Sequence, residues 1–139
     1  SDRNDVYFIG RNKGRELAME ASLKLKELSY IHSEAFPGGE FKHGTLSLIE
    51  EGVPVVAFTL DDETNTLSNA IEASSRGAEL IGVDTGEHEA FDYLIKTPED
   101  ENREILEVIP FQLLAYETAL LKGNNPDKPR NLAKSVTVK

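Results

Sequence analysis

Four short apolar runs, separated by stretches of helix length, restrict this chain to a narrow set of folds. Val6-Tyr7-Phe8-Ile9-Gly10, Val53-Pro54-Val55-Val56-Ala57-Phe58-Thr59, Glu79-Leu80-Ile81-Gly82-Val83 and the weaker Tyr93-Leu94-Ile95 are short and β-rich, without polar alternation. Such runs read as strands buried on both faces. Between them, helical patterns occupy roughly 13–32, a short piece near 45–51, then 64–76 and a long segment ending at Lys122-Gly123. Pro110 interrupts the last of these and predicts a kink or a fresh helix start. Strands alternating with helices predict an α/β fold of three layers, αβα, around a mainly parallel sheet. In such sheets ligands sit at the carboxyl ends of the strands, which directs attention to Gly10-Arg11-Asn12.

At 139 residues the chain fits one domain with a real core. A net charge of -10 argues against a sequence-independent grip on nucleic acid, which needs a basic surface. It does not exclude a phosphorylated sugar, because a pocket can be locally positive. No apolar run approaches the ~20 residues of a membrane span, and no signal-peptide pattern opens the chain. With no cysteine, disulfides, thiolate nucleophiles and Cys-based metal sites are excluded, and a reducing cytosol is compatible. His32, His43 and His88 show no paired-ligand spacing, so no metal is expected. The only methionine is Met19, which suggests an excised or processed chain.

Laid out at ~100° per residue, the stretch from Lys13 to His32 carries two polar stripes. Arg15, Ser22, Lys26 and Ser29 form one, the expected solvent face. Glu20, Lys24 and Glu27 form a second, nearly opposite, with Leu17, Ala21, Leu25 and Leu28 on one flank and Met19, Leu23 and Tyr30 on the other. A surface helix needs one wet side. The second stripe is therefore either a set of helix-surface ion pairs or a carboxylate held in a cleft beside a lysine. Downstream, Pro37-Gly38-Gly39 forces a turn, and His43 follows as a potential acid or base near neutral pH, or simply a polar surface group. After Gly123 the chain changes character. Its two prolines and lack of amphipathic period predict an irregular tail, poorly ordered or packed in a partner-dependent way.

These pieces have a recognisable order. Glu20-Ala21-Ser22-Leu23-Lys24-Leu25-Lys26-Glu27-Leu28-Ser29-Tyr30-Ile31-His32-Ser33-Glu34-Ala35 resembles the E-G-A-L-K-L-K-E-I-S-Y-I-H-A-E-A run of the glucosamine-6-phosphate synthase family. Gly39-Glu40-Phe41-Lys42-His43-Gly44 resembles the family's G-E-L-K-H-G-P, and Pro129 through Val138 is similar to its P-R-N-L-A-K-S-V-T-V tail. Thr45, Ala21 and Lys139 depart from the family's usual proline, glycine and glutamate without removing a reacting group.

The resemblance implies a flavodoxin-like sugar-isomerase (SIS) lobe over residues 1–123, with a sheet of about five strands, and an active-site tail over 124–139. It implies that Glu27 moves a proton between C1 and C2 of an opened sugar, that His43 opens the ring, reaching into a neighbouring subunit's site, and that Lys134 forms a Schiff base with fructose-6-phosphate. Lys24 and Glu20 become pocket residues. The implied product is glucosamine-6-phosphate, without a cofactor, in a cytoplasmic homodimer whose first SIS lobe and glutaminase domain lie outside these residues. Two other classes remain: a non-catalytic sugar-phosphate-binding SIS module and a pure dimerisation domain. The joint presence of Glu27, His43 and Lys134 argues against the binding module.

Overall fold

The computed structural model describes residues 5–42 and 44–131. Its elements follow the order β1 (Asp5–Gly10), α1 (Lys13–Ser29), β2 (His32–Pro37), a short 3-10 helix (Thr45–Leu48), β3 (Pro54–Phe58), α2 (Glu63–Ser74), β4 (Glu79–Asp84), β5 (Tyr93–Lys96) and α3 (Arg103–Leu121). Five strands form one sheet in the order β2-β1-β3-β4-β5, and every neighbouring pair is parallel.

Alternation along the strands divides the core in two. Tyr7, Ile9, Val55, Ala57 and Leu80 point to one face and pack with Phe41, Leu46, Ala70 and Ala73, the layer of α2 and the 3-10 helix. Phe8, Val56, Phe58 and Val83 point to the other and pack with Leu17, Ala18, Ala21, Leu25, Phe111 and Ala115 of α1 and α3. Side chains two apart share a face of a strand, so a continuous apolar run supplies both layers. The three-layer αβα reading is the observed architecture.

Three details differ from the expectation. The first helix ends at Ser29, where Tyr30 adopts a left-handed conformation (φ 56°), and residues 32–37 form an edge strand. The edge lies beside β1 alone, and within it only Ser33 is fully buried, so His32-Ser33-Glu34-Ala35 never needed an apolar pattern. The second difference is on α1, where Ser22 and Ser29, expected in solvent, are 1% and 0% exposed. Ser22 Oγ lies 3.0 Å from Ser33 Oγ, Ser33 donates to the Ser22 carbonyl at 2.9 Å, and Ser29 donates to the Leu25 carbonyl. Small hydroxyl side chains with local acceptors can be buried without an unsatisfied group. Third, no fresh helix starts at Pro110: α3 continues through it from Arg103 to Leu121, with Glu107 and Phe111 buried on either side of the proline.

Residues 124–131 are irregular, as expected, but they pack within the chain. Asn124 Nδ2 reaches the carbonyls of Leu28 and Ser29 at 3.5 Å, and the Arg130 backbone N–H donates to Tyr30 Oη at 2.8 Å.

Under the sheet's carboxyl edge lies a buried polar knot. Glu107, fully buried on α3, accepts from Arg103 Nε and, at 3.4 Å, from Thr97 Oγ1, while its Oε2 finds no partner among the described residues. Arg103 also reaches Asp84 and Thr59, each at 3.3 Å. Burial raises the Glu107 carboxyl above its ordinary value, against the opposing pull of Arg103. A carboxyl raised on folding costs stability once it must ionise. Relative to Glu107→Gln, the parent should therefore lose stability as pH rises from near 4.5 through the folded value, and then level off. Denaturation midpoints of the two proteins across that range measure this; parallel profiles would contradict it.

Candidate functional site

On α1 the buried face is built from Leu17, Ala18, Ala21, Ser22, Leu25 and Ser29. Four of these six side chains are small, so the helix lies close on the sheet and its azimuth is fixed. The opposite side carries Met19 and Leu23, 52% and 41% exposed. Between core and exposed face runs the second stripe. Glu20, Lys24 and Glu27 are half-buried, with side chains 40%, 29% and 30% exposed. Lys24 Nζ stands 2.9 Å from Glu27 Oε2 and 3.6 Å from Glu20 Oε1. One ammonium thus bridges two carboxylates over two turns.

The Glu27 hydrogen bond holds the Lys24 ammonium above the ordinary lysine range, outweighing the opposite effect of burial. Lys24 consequently remains a cation and a poor nucleophile, suited to charge compensation. Glu27 is the stripe's acceptor on a rigid helix, beside a fixed positive charge.

At the carboxyl ends of β1 and β2, where sequence reasoning pointed, lies a cleft of about 690 Å³ bordered by Arg11, Arg15, Glu16, Met19 and Asp62. Beside it, Gly10 lets β1 and α1 meet closely, since its Cβ would stand 2.3 Å from the Gly14 carbonyl. Arg11 Nε lies 3.9 Å from Asp62 Oδ2 and makes no hydrogen bond among the described residues. Glu16 and Met19 also border a second cleft of about 460 Å³ that contains Glu20. The clefts run along α1 toward the stripe but do not enclose Lys24 and Glu27. Arg11 lies where its place after β1 pointed, whereas Arg15, expected on the solvent face of α1, borders the same cleft.

His43 and Lys134 lie outside the described residues, so the structure brings together Glu20, Lys24 and Glu27 of the predicted set. The neighbours of His43 are informative. Phe41 and Leu46 are anchored in the α2-side core, and Lys42 Nζ pairs with Glu72 at 2.9 Å. That layer is across the sheet from the α1 stripe. Among the described residues, no group of three or more His, Asp or Glu side chains could hold a metal ion, and no helix is long and apolar enough to cross a membrane.

The SIS domain model matches residues 1–122. The chain belongs to the SIS domain family. Within that family it is 49% identical over 99% of its length to the glutamine–fructose-6-phosphate aminotransferase (isomerizing) of Thermococcus kodakarensis, and 46% identical over 99% to that of Clostridium perfringens. It spans 24% of each relative's length. Among solved structures it matches the C-terminal domain of glucosamine-fructose-6-phosphate aminotransferase from Francisella tularensis, with TM-score 0.80 and 37% identity over 92% of this chain and 39% of that one. The glucosamine-6-phosphate deaminase of Thermotoga maritima matches with TM-score 0.77 and 28% identity over 98% of this chain and 41% of that one.

A stripe that is a third exposed should contribute little to folding. Replacing Lys24 by Met in this SIS domain should change unfolding free energy by no more than about 1 kcal/mol, the range of exposed ion pairs. Because the Lys24 pKa is raised on folding, that contribution is present below about 10.5 and lost as pH rises through the folded value. Chemical denaturation and NMR titration of the Nζ group measure both. A loss of several kcal/mol would make the stripe a folding element.

Proposed function

We propose that this chain is the second SIS lobe of an enzyme that converts fructose-6-phosphate, with ammonia from glutamine, into glucosamine-6-phosphate. The observation that carries the reading is the Lys24–Glu27 pair on the half-buried stripe of α1, in a chain 49% identical over nearly its whole length to an aminotransferase of that name. Because the chain spans only about a quarter of such relatives, the activity belongs to the longer protein.

In this reading the Lys134 amine adds to the C2 carbonyl of the opened sugar and water leaves, giving an imine that ammonia then displaces. Glu27 takes a proton from C1 and returns one to C2, while the C1 hydroxyl proton passes through solvent to the imine nitrogen, so C1 becomes an aldehyde and the C2 imine an amine. Lys24 balances charge as the enol-type intermediate forms. A carboxylate suits proton transfer beside a carbonyl, and a lysine suits imine chemistry. Residues 124–139 serve as the tail that delivers Lys134.

The remaining walls come from other parts of the assembly. Ile105, Ile109, Leu113 and Leu120 form an exposed apolar line on α3, each 41–60% exposed and spaced for one helical face. The first SIS lobe of the same polypeptide covers it in this reading. The neighbours of His43 lie on the α2 side of the sheet, which supports a homodimer in which His43 serves the other subunit's site. The setting is cytoplasmic.

The test is Glu27→Gln in the complete enzyme, which preserves shape and removes basicity. Isomerisation should fall by ~10²-fold or more while sugar-phosphate binding stays near the parent value. Turnover near the parent rate would return the stripe to surface ion pairing.

A further inference from the structure

The cleft of about 690 Å³ at the start of α1 has a lining of mixed charge: Arg11 and Arg15 stand on it with Glu16, Glu40 and Asp62. Arg11 is held from behind by the bare turn at 38–39. Its Nε lies 3.2 Å from the point where a Gly38 Cβ would stand. The Nδ2 of Asn69, a residue only 2% exposed, lies 2.5 Å from that same point. A Gly39 Cβ would likewise stand 3.3 Å from Arg11 Nη2. Neither Arg11 Nε nor Asn69 Nδ2, both buried, has a hydrogen-bond partner among the described residues. Asp62 Oδ2, at 3.9 Å from Nε, is beyond hydrogen-bond distance. Its carboxylate accepts from Asn65 Nδ2 at 2.9 and 3.1 Å. The Arg11 guanidinium is therefore fixed in place without a bonded counter-ion, and 32% of the side chain stays open.

We propose that this cleft is a second ligand site, for a small phosphomonoester that also carries an amine. Charge decides the class. Two guanidiniums match the roughly −1.5 to −2 charge of a phosphomonoester, and their planar forks suit its oxygens. Inorganic phosphate alone would face three carboxylates, and a neutral sugar would leave both guanidiniums unused. An ammonium on the ligand answers Glu16 and Glu40, the lining carboxylates not taken by Asn65. A cavity of this volume holds a hexose-sized molecule. Glu27 follows Arg15 by twelve residues, about 18 Å along α1, farther than one hexose phosphate spans. One ligand cannot serve both places. On the proposed function the ligand is the reaction's own product, glucosamine-6-phosphate. That identity rests on the functional reading, whereas the paired-charge site rests on the cleft.

Equilibrium dialysis of the complete protein against labelled glucosamine-6-phosphate, in the parent and in two variants, tests this. Arg15→Gln, at an exposed position, should weaken one site per chain by about tenfold or more, the scale of a lost charge-assisted hydrogen bond. Arg11→Met should weaken the same site, and the exposed Arg15 variant serves if Arg11→Met fails to fold. Glucose-6-phosphate and inorganic phosphate, which lack the amine, should displace the label from that site about tenfold less effectively. Glu40→Gln should narrow this gap. Unchanged site number and affinity in Arg15→Gln overturns the inference. Inorganic phosphate or glutamine displacing the label from the Arg15-dependent site as well as glucosamine-6-phosphate does overturns the ligand class. A complete protein that does not turn over fructose-6-phosphate refutes the functional reading instead, and the Arg15-dependent site should be present all the same.

Discussion

Gly10 and Gly14 allow the end of β1 and the first turn of α1 to approach until a methyl group on Gly10 would stand 2.3 Å from the Gly14 carbonyl. A methyl group on Gly14 would likewise meet the Phe58 carbonyl of β3 at 2.9 Å. The small residues Ala18, Ala21, Ser22 and Ser29 continue that close approach down the helix. Close packing of this kind leaves α1 one azimuth on the sheet, since a rotation would drive Leu17 or Leu25 out of the core. The azimuth in turn places Glu20, Lys24 and Glu27 at the boundary between core and solvent. A catalytic carboxylate gains from being held by packing rather than by a mobile loop.

The lobe is unfinished in a specific way. Exposed Met19 and Leu23 flank the charged stripe on one side, and the apolar line of α3 is also uncovered. Lys24 and Glu27 are about a third exposed, so in the proposed reading the chain supplies one wall of a site. Its span of a quarter of its relatives' length is consistent with that. Burial in the complete protein would strengthen the Lys24–Glu27 attraction, because charge interactions grow as water is removed.

Much of the fold was legible because continuous apolar runs can only be doubly buried strands: β1, β3 and β4 follow directly from Val6–Gly10, Val53–Thr59 and Glu79–Val83. The edge strand β2 was not, since pairing on one side leaves little to bury and its sequence carries no pattern. Ser22 and Ser29 misled the helical wheel because hydrophobicity scores them as polar, whereas their hydroxyls find local acceptors in the fold. Spacing alone revealed the Glu20-Lys24-Glu27 stripe, and it left open whether the stripe is wet surface or reacting face. The Tyr30–Arg130 hydrogen bond joins residues a hundred positions apart, and no local pattern announces such a contact.

Under the proposed function, two places on this lobe are candidates for the sugar phosphate: the α1 stripe and the cleft at Arg11 and Arg15. The Arg11 cleft shares Glu16 and Met19 with the smaller cleft beside Glu20, yet cleft and stripe imply different chemistry. The cleft offers guanidinium groups opposite Asp62, which can hold a ligand but give no base on a rigid helix beside a lysine. A crystal structure of the complete enzyme with fructose-6-phosphate bound separates them most directly. This account predicts the sugar's C1 and C2 within about 3.5 Å of a Glu27 carboxylate oxygen, the range of a near-attack geometry, with the Lys24 ammonium adjacent. A sugar lodged in the Arg11–Arg15 cleft, with the stripe facing open solvent, would contradict it.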